Sequence, residues 1–436
     1  MIMKFLLVAL VLLVGSCSAQ PSKDEFDLFC KLLGEANSIL HGPGYVYDED
    51  KDKEVLKEMQ MLYNATTDNM NQFRKTLWET KDFFEEHPPP TQPENRRKAH
   101  REIGDLITKG EKKIEENREL AKQINEKMKE AKLPVAQGMY GDGVNEIPKD
   151  EGQWAAIRDN TTRIFNSKDK AADSCGGGGN KQTGKTLIND LFCVCVGEGS
   201  DAERPCHPKI WPPKSWPSVG GCNNDNNNCK WTLIKFGSVG TPTLIHSFNE
   251  SFEKIEQVCR EEMTEKKVKS ENIPILLDKY VGLIGKGDEQ VKKDKSKKIF
   301  GHSGKSKDKT EVKDCTGAGS SNASGNKYGM EKHNDNICVD YTQNLQGDKY
   351  NIPWHKKFRE AAEEVDQAKK LEEKILKNRA DLLLLKSQAW VAYGREKDDE
   401  TSNLDDMNVS NLFDGARLPT SFPPFPFPFL FLFLIL

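Results

Sequence analysis

Several chemistries are missing from this 436-residue sequence. It has no C-x-x-C pair, which argues against a structural zinc site. It has no G-x-S-x-G elbow for a nucleophilic serine. Its 8 histidines are scattered, and His207 and His246 lack metal-ligand spacing. Its carboxylates lie along helix faces beside lysines, an ordinary surface arrangement. No catalytic constellation emerges, so no enzyme activity, cofactor or metal is expected. Charge of one sign is missing too. The 64 basic and 68 acidic residues leave a net charge of −4, which gives no bulk affinity for nucleic acid. A mean hydropathy of −0.70 suits elongated helices with much surface and little core.

One motif runs against this poverty. "GGGGNKQTGKT" begins at Gly176, and Gly179 to Thr186 match G-x-x-x-x-G-K-[ST], the phosphate-cradling loop of nucleotide-binding proteins. That loop needs a buried strand before its glycines. Here "NSKDKAADSC" precedes them, polar and strandless, and no apolar strand ends in a magnesium-binding Asp. The glycines read instead as a flexible loop between Cys175 and Cys193, with no nucleotide bound.

The ends carry apolar runs. "FLLVALVLLVG" follows Lys4 and is too short for the ~20 residues of a membrane span. With Cys17 and Ala19 in the small positions, it predicts a secretory signal over residues 1–19, cleaved before Gln20. The other end reads "FPPFPFPFLFLFLIL". Upstream sit the small residues Asp414, Gly415 and Ala416 and a spacer, "RLPTS". This order predicts a glycosylphosphatidylinositol (GPI) signal, although the spacer is shorter than the usual ~8–12 residues. Asp414 is the expected attachment residue, with Gly415 and Ser410 as alternatives. The mature chain is then expected on the outer leaflet of the plasma membrane.

A secreted chain with an even cysteine count predicts disulfides. Without Cys17, ten of the 11 cysteines remain: Cys30, Cys175, Cys193, Cys195, Cys206, Cys222, Cys229, Cys259, Cys315 and Cys338. Their connectivity stays open. Five Asn-x-Ser/Thr sequons, at Asn64, Asn160, Asn249, Asn322 and Asn408, mark candidate surface glycans.

Apolar periodicity predicts helices. One spans Asp24–His41. A second spans Asp50–His87 through Val55, Met59, Leu62, Met70, Phe73, Leu77 and Phe84, with Thr66 filling one layer, and stops at Pro88. A third spans Glu94–Leu133 on a near-heptad stripe of Ala99, Ile103, Leu106, Gly110, Ile114, Asn117, Ala121, Ile124, Met128 and Ala131. Thr243–Glu265 and Ile273–Gly285 are also read as helical. A last long helix spans Pro353–Lys397. The expected fold is mainly α: an elongated bundle built on a long antiparallel helical hairpin plus the late helix, with an irregular disulfide-rich head insert. The predicted organisation is a signal peptide at 1–19 and a helical domain at 20–397. Within that domain lie the head insert, about 134–243, and a mobile Lys/Gly/Ser-rich loop, about 286–336. A polar stalk at 398–414 and a removed anchor signal at 415–436 follow.

Taken in order, these features resemble the variant surface glycoproteins of African trypanosomes. The shared features are the leader, the hairpin over residues 50–133, "CGGGGN" at Cys175, "CVCVG" at Cys193, the W-x-L-I segment at Trp231, the late helix and the anchor signal. No cysteine follows Cys338, which resembles the short-tailed Trypanosoma congolense type. The resemblance implies a homodimer in a dense cell-surface coat that meets host antibodies and serves antigenic variation and immune evasion. Met59–Phe84 is a candidate dimer seam. The stretches 176–228 and 286–336 would be exposed antigenic loops whose substitution costs little stability. The alternative is a GPI-anchored receptor for a host protein or nutrient on the same scaffold, with Trp211, Trp216 and Trp231 as candidate anchors.

Overall fold

The computed structural model describes residues 20–69, 71, 73–75, 80–167, 170–178, 181–198, 204–212, 216, 233–234, 243–244, 248–266, 271–286, 298–304, 312, 314–322 and 331–395. Mainly helical, the chain orders its described helices as α1 (Lys23–His41), α2 (Glu49–Ala65), α3 (Lys81–Glu86), α4 (Pro93–Tyr140), α5 (Glu151–Asp159), α6 (Thr161–Ile164), α7 (Ala171–Cys175), α8 (Leu187–Cys195), α9 (Phe248–Glu265), α10 (Ile273–Leu283) and α11 (Pro353–Gly394). Short antiparallel strands fill the intervals: β1 (Ile210–Trp211) with β2 (Leu233–Ile234) and β3 (Thr243–Leu244), and β4 (Ile299–Phe300) with β7 (Val339–Asp340). The pairs β5 (Ser320–Asn322) with β6 (Glu331–His333) and β8 (Leu345–Gln346) with β9 (Lys349–Tyr350) complete them.

The chain divides into two units. One takes residues 41–132 and those from 361 onward; the other takes residues up to 40 and 133–360. Helices α4 and α11 contribute residues to both.

The first unit is the helical bundle. Its α4 stripe is buried as the near-heptad spacing predicts, from Ala99 and Ile103 through Ile124 and Ala131, with Met128 half-buried. Met59, Leu62, Phe84, Ile103, Leu106, Ala389 and Tyr393 form one apolar cluster across α2, α3, α4 and α11. Leu120, Ala121, Ile124, Ala368 and Ile375 form a second across α4 and α11. The direction is antiparallel. Lys127 meets Glu364 at 2.9 Å, Lys113 meets Asp381 at 2.9 Å and Arg395 meets Glu102 at 3.2 Å, so numbers fall along one helix as they rise along the other.

A polar layer crosses the same bundle, and it explains why Asn117 sits in an apolar stripe. Asn378 Nδ2 donates to Asn117 Oδ1 at 2.9 Å, and Asn117 Nδ2 donates to Asp52 Oδ2 at 3.3 Å. Tyr47 donates its hydroxyl to Asp52 at 2.6 Å, and Arg379 Nε lies 3.0 Å from Asp52 Oδ1. Lys113 Nζ donates to Asn378 Oδ1 at 2.8 Å. Such a layer is satisfied only when α2, α4 and α11 stand in one register, since any slip strands buried polar groups.

Two helix boundaries differ from the sequence reading. The stretch Asp50–His87 is not one helix: α2 ends at Ala65 and α3 covers Lys81–Glu86. Thr66 does not simply fill a layer. Its Oγ1 lies 2.9 Å from Tyr63 O and 3.2 Å from His100 Nδ1, so the hydroxyl turns back on its own last turn. Met70 and Leu77 lie outside the described residues. The second difference is at Pro134, where α4 does not stop. It runs on to Tyr140 because Val135, Ala136, Met139 and Tyr140 are buried, and that packing overrides the missing N–H. Gly141 ends it at φ +97°, where a Cβ would lie 2.4 Å from Arg163 O.

In the second unit, Cys30 of α1 is bonded to Cys259 of α9. Phe29 packs edge-on to Tyr280 and Phe300, with ring centroids 5.8 Å apart in both pairs. Residues Thr243–Leu244 are strand, not helix, and the helix expected from Thr243 begins at Phe248. Within the reach expected to be a mobile loop, Ile299, Phe300 and Cys315 are fully buried, and Cys315 bonds Cys338. The apolar side chains in that polar stretch are its structured anchor points.

The polar layer generates a test. Asp52→Ala removes the common acceptor of Tyr47, Asn117 and Arg379. A loss of about 2–4 kcal/mol is expected in urea unfolding, less than for a wholly enclosed pair because Arg379 reaches solvent. Lys122→Ala, at an exposed α4 ion pair, should stay within about 0.5 kcal/mol of the parent.

Candidate functional site: the segment from Cys175 to Cys195 and the glycan acceptors

The nucleotide-like motif lies in the second unit, and its geometry is that of a braced core segment. Thr186 caps α8: its Oγ1 accepts from Asn189 N at 3.0 Å and donates to Ile164 O at 2.8 Å. Lys185 donates its ammonium to Thr162 O at 2.8 Å and to Phe165 O at 3.1 Å, and burial lowers its pKa. Thr183 N donates to Asn344 Oδ1 at 3.1 Å, and Asn344 Nδ2 returns a bond to Thr183 O at 2.9 Å. Gly184 stands at φ +76°, where a Cβ would lie 2.5 Å from Ile352. A phosphate cradle presents free N–H groups and a free lysine to its ligand. Here the lysine and Thr183 N are bonded within the protein. Gly179 and Asn180 lie outside the described residues.

The flexible loop expected between Cys175 and Cys193 is therefore corrected. Those two cysteines are bonded, Cys195 bonds Cys206, and every residue of α8 is buried. The expectation that residues 176–228 bury little fails for the same reason: α8 and Trp216 belong to the core. Trp216 donates Nε1 to Ser167 O at 2.8 Å, and Arg204 lies over the half-buried Trp211 ring at 4.5 Å. Trp231, Cys222 and Cys229 lie outside the described residues.

Asp190, unnoticed in the sequence reading, is the centre of this segment. It is fully buried. Its Oδ2 accepts from Trp354 Nε1 at 2.6 Å and from the Tyr341 hydroxyl, and its Oδ1 accepts from Asn189 Nδ2 at 3.0 Å. Tyr341 and Tyr280 hydroxyls meet at 2.7 Å. Burial nevertheless raises the Asp190 pKa to about 6. The sequence did hold a signal, a lone carboxylate within the apolar "LINDLFCVC". The arrangement ties α8 to α10 and to the first turn of α11.

A second buried carboxylate holds the N-terminal segment. Glu25 Oε1 accepts from Ser303 N at 2.9 Å, while Ser22 Oγ accepts from His302 N at 3.0 Å and Pro21 O accepts from Gly304 N at 2.9 Å. Glu25 Oε2 has no hydrogen-bond partner among the described residues. Burial pushes this carboxyl to about 7.

Of the sequons, Asn64 sits in the last turns of α2, where its Oδ1 accepts from Gln60 Nε2 at 3.0 Å. Asn160 closes α5 and Asn249 lies in the first turn of α9. Asn322 belongs to β5. Asn408 and the anchor candidates Ser410, Asp414 and Gly415 lie outside the described residues, as does the leader. Among the described residues, no His, Cys, Asp and Glu cluster could hold a metal, and no helix is long and apolar enough to cross a membrane.

The geometry defines a class: a helical protein braced by disulfides, whose sequence motif for nucleotides is spent on its own packing. The sequence profile of the trypanosomal VSG (variant surface glycoprotein) domain matches residues 48–382, and the chain belongs to that family, the structural coat glycoproteins of the trypanosome surface. No curated protein matches it.

Glu25 sets a pH dependence with a definite sign. Its folded pKa lies above the unfolded one, so its contribution is full below about 4.5 and is lost as pH rises through about 7. Glu25→Gln should reduce the loss of stability between pH 5 and pH 8 by on the order of 2 kcal/mol in urea unfolding. An unchanged pH profile would contradict the buried carboxyl.

Proposed function

We propose that this protein is a GPI-anchored variant coat glycoprotein of the trypanosome surface, packed densely and serving antigenic variation and immune evasion. The observation that carries the reading is the family match over residues 48–382. The apolar leader and the small-residue, spacer and apolar-tail order at the C-terminus support passage to the surface and replacement of the tail by lipid. The antigenic surface is best sought among exposed loop positions, because the buried α8 segment and the strands near Phe300 serve the core.

The coat protein is a homodimer in this reading, with its seam moved from the earlier candidate. Met59, Leu62 and Phe84 are occupied inside the chain's own bundle, at 0–5% exposure. Helix α11 instead exposes Leu376, Ala380, Leu383 and Val391, with Ser387 between the last two and no charged residue on that stripe. Leu376 is 50%, Leu383 51% and Val391 39% exposed. Copies anchored at the same end stand parallel, so each stripe meets its own counterpart, large residues alternating with small ones. Three large side chains fall short of the ~800 Å² per partner of a stable interface. Crowding on a membrane supplies the remainder through effective concentration.

Phosphatidylinositol-specific phospholipase on intact cells should release this chain as the dominant band. A trace band would favour the receptor reading, and no release beside a working control would contradict the anchor. Leu383→Glu should abolish most chemical crosslinking between copies on the cell while changing stability by no more than about 0.5 kcal/mol. Unchanged crosslinking would move the seam elsewhere.

A further inference from the structure

We propose that Asn160 and Asn249 carry a paired glycan cover over the face formed by α5 and α9, with Arg158 clamped between the two attachment points. Helix α5 packs against α9, which brings together two sequons far apart in the chain. Arg158 lies two residues before Asn160, and its Nε donates to Asn249 Oδ1 at 2.6 Å. The same guanidinium also pairs with Glu151, so it is held on its own helix while it reaches the other. Its side chain is only 13% exposed.

The two acceptor amides share one geometry. Asn160 Oδ1 accepts from the hydroxyl of Thr162, the third residue of its own sequon, at 2.6 Å. Asn249 Oδ1 accepts from Arg158. Both amide oxygens are thus fixed, and both Asn side chains are half-exposed. Glycosylation acts on Nδ2, not on the oxygen. The amide nitrogen forms a bond to the anomeric carbon of a lipid-linked oligosaccharide pyrophosphate. The carbon–oxygen bond to the pyrophosphate breaks, the pyrophosphate leaves with the electron pair, and the amide loses one proton to a base. The product keeps its carbonyl oxygen and one N–H, so both observed hydrogen bonds survive in the modified protein.

Transfer precedes folding, so what the fold decides is whether an attached glycan is compatible with the native state. At this face it is, twice, and at adjoining positions. Two flexible glycans rooted on either side of one arginine would exclude protein-sized probes from the exposed α5 and α9 positions, including Glu151, Asp159, Glu250 and Glu253.

This proposal rests on the surface-coat reading only in requiring passage through the secretory compartment, and the experiment separates the two. Protein purified from cells is treated with a peptide N-glycosidase in ¹⁸O-water, and its tryptic peptides are sequenced by mass spectrometry. The expected result is conversion of both Asn160 and Asn249 to ¹⁸O-labelled Asp at high occupancy, with the double variant Asn160→Gln, Asn249→Gln lighter by two glycans. Native deglycosylation should also speed tryptic cleavage after Arg163 several-fold. Label at Asn64, Asn322 or Asn408 with either member of the pair unmodified would overturn the paired cover and leave the coat reading standing. No label at any sequon would overturn the proposal and count against secretory passage as well.

Discussion

The antiparallel pairing of α4 with α11 is the constraint on which the rest depends. The two helices are separated by 212 residues, yet their ladder from Lys127–Glu364 through Lys113–Asp381 to Glu102–Arg395 holds one register. Exposed ion pairs are worth little singly. The register is set instead by apolar packing and by the polar layer between the two apolar clusters, where Asp52, Asn117 and Asn378 are all buried. That layer gives the bundle one satisfied alignment and leaves any slipped one with stranded donors and acceptors.

The other unit solves a different problem. Apart from α4 and α11, its helices run from 4 to 19 residues, against 48 for α4 and 42 for α11, and its strands are two or three residues long, so its apolar stripes are short. It uses covalent closure and buried polar hubs. Cys30–Cys259 closes a long loop, while Cys175–Cys193, Cys195–Cys206 and Cys315–Cys338 close short ones. Each restricts the unfolded chain, by amounts of a few kcal/mol in the chain-entropy account. Asp190 then collects Tyr341, Trp354 and Asn189 around one carboxylate. For a coat protein this division is useful. A core held by disulfides and hubs tolerates substitution at exposed loop positions, because those positions carry little of the packing.

Much of the bundle was legible in the sequence. The spacing of Ala99, Ile103, Leu106, Ile114, Ala121 and Ile124 marks a buried stripe, and the structure buries it. The family itself was legible from the order of features along the chain. What was not legible had local physical causes. Pro134 is a helix breaker by itself, but four buried residues after it carry α4 onward. Thr66 fits an apolar period, yet its hydroxyl finds its own carbonyls and ends α2. The glycines before Thr186 suggest freedom, while Gly184 is packed against Ile352 and Tyr341 and its neighbour Thr183 is held by Asn344, all far away in sequence. The roles of Asp190 and Glu25 depend on burial, which no local pattern of charge reveals.

The most direct test of the account is surface labelling of living cells with a membrane-impermeant amine reagent, followed by quantitative mass spectrometry of the labelled proteins. The account predicts that this chain dominates the labelled fraction, with modified lysines on exposed helix faces such as Lys122 and Lys370. Labelling that appears only after the cells are permeabilised, or that places this chain among trace surface proteins, would contradict its role as a coat.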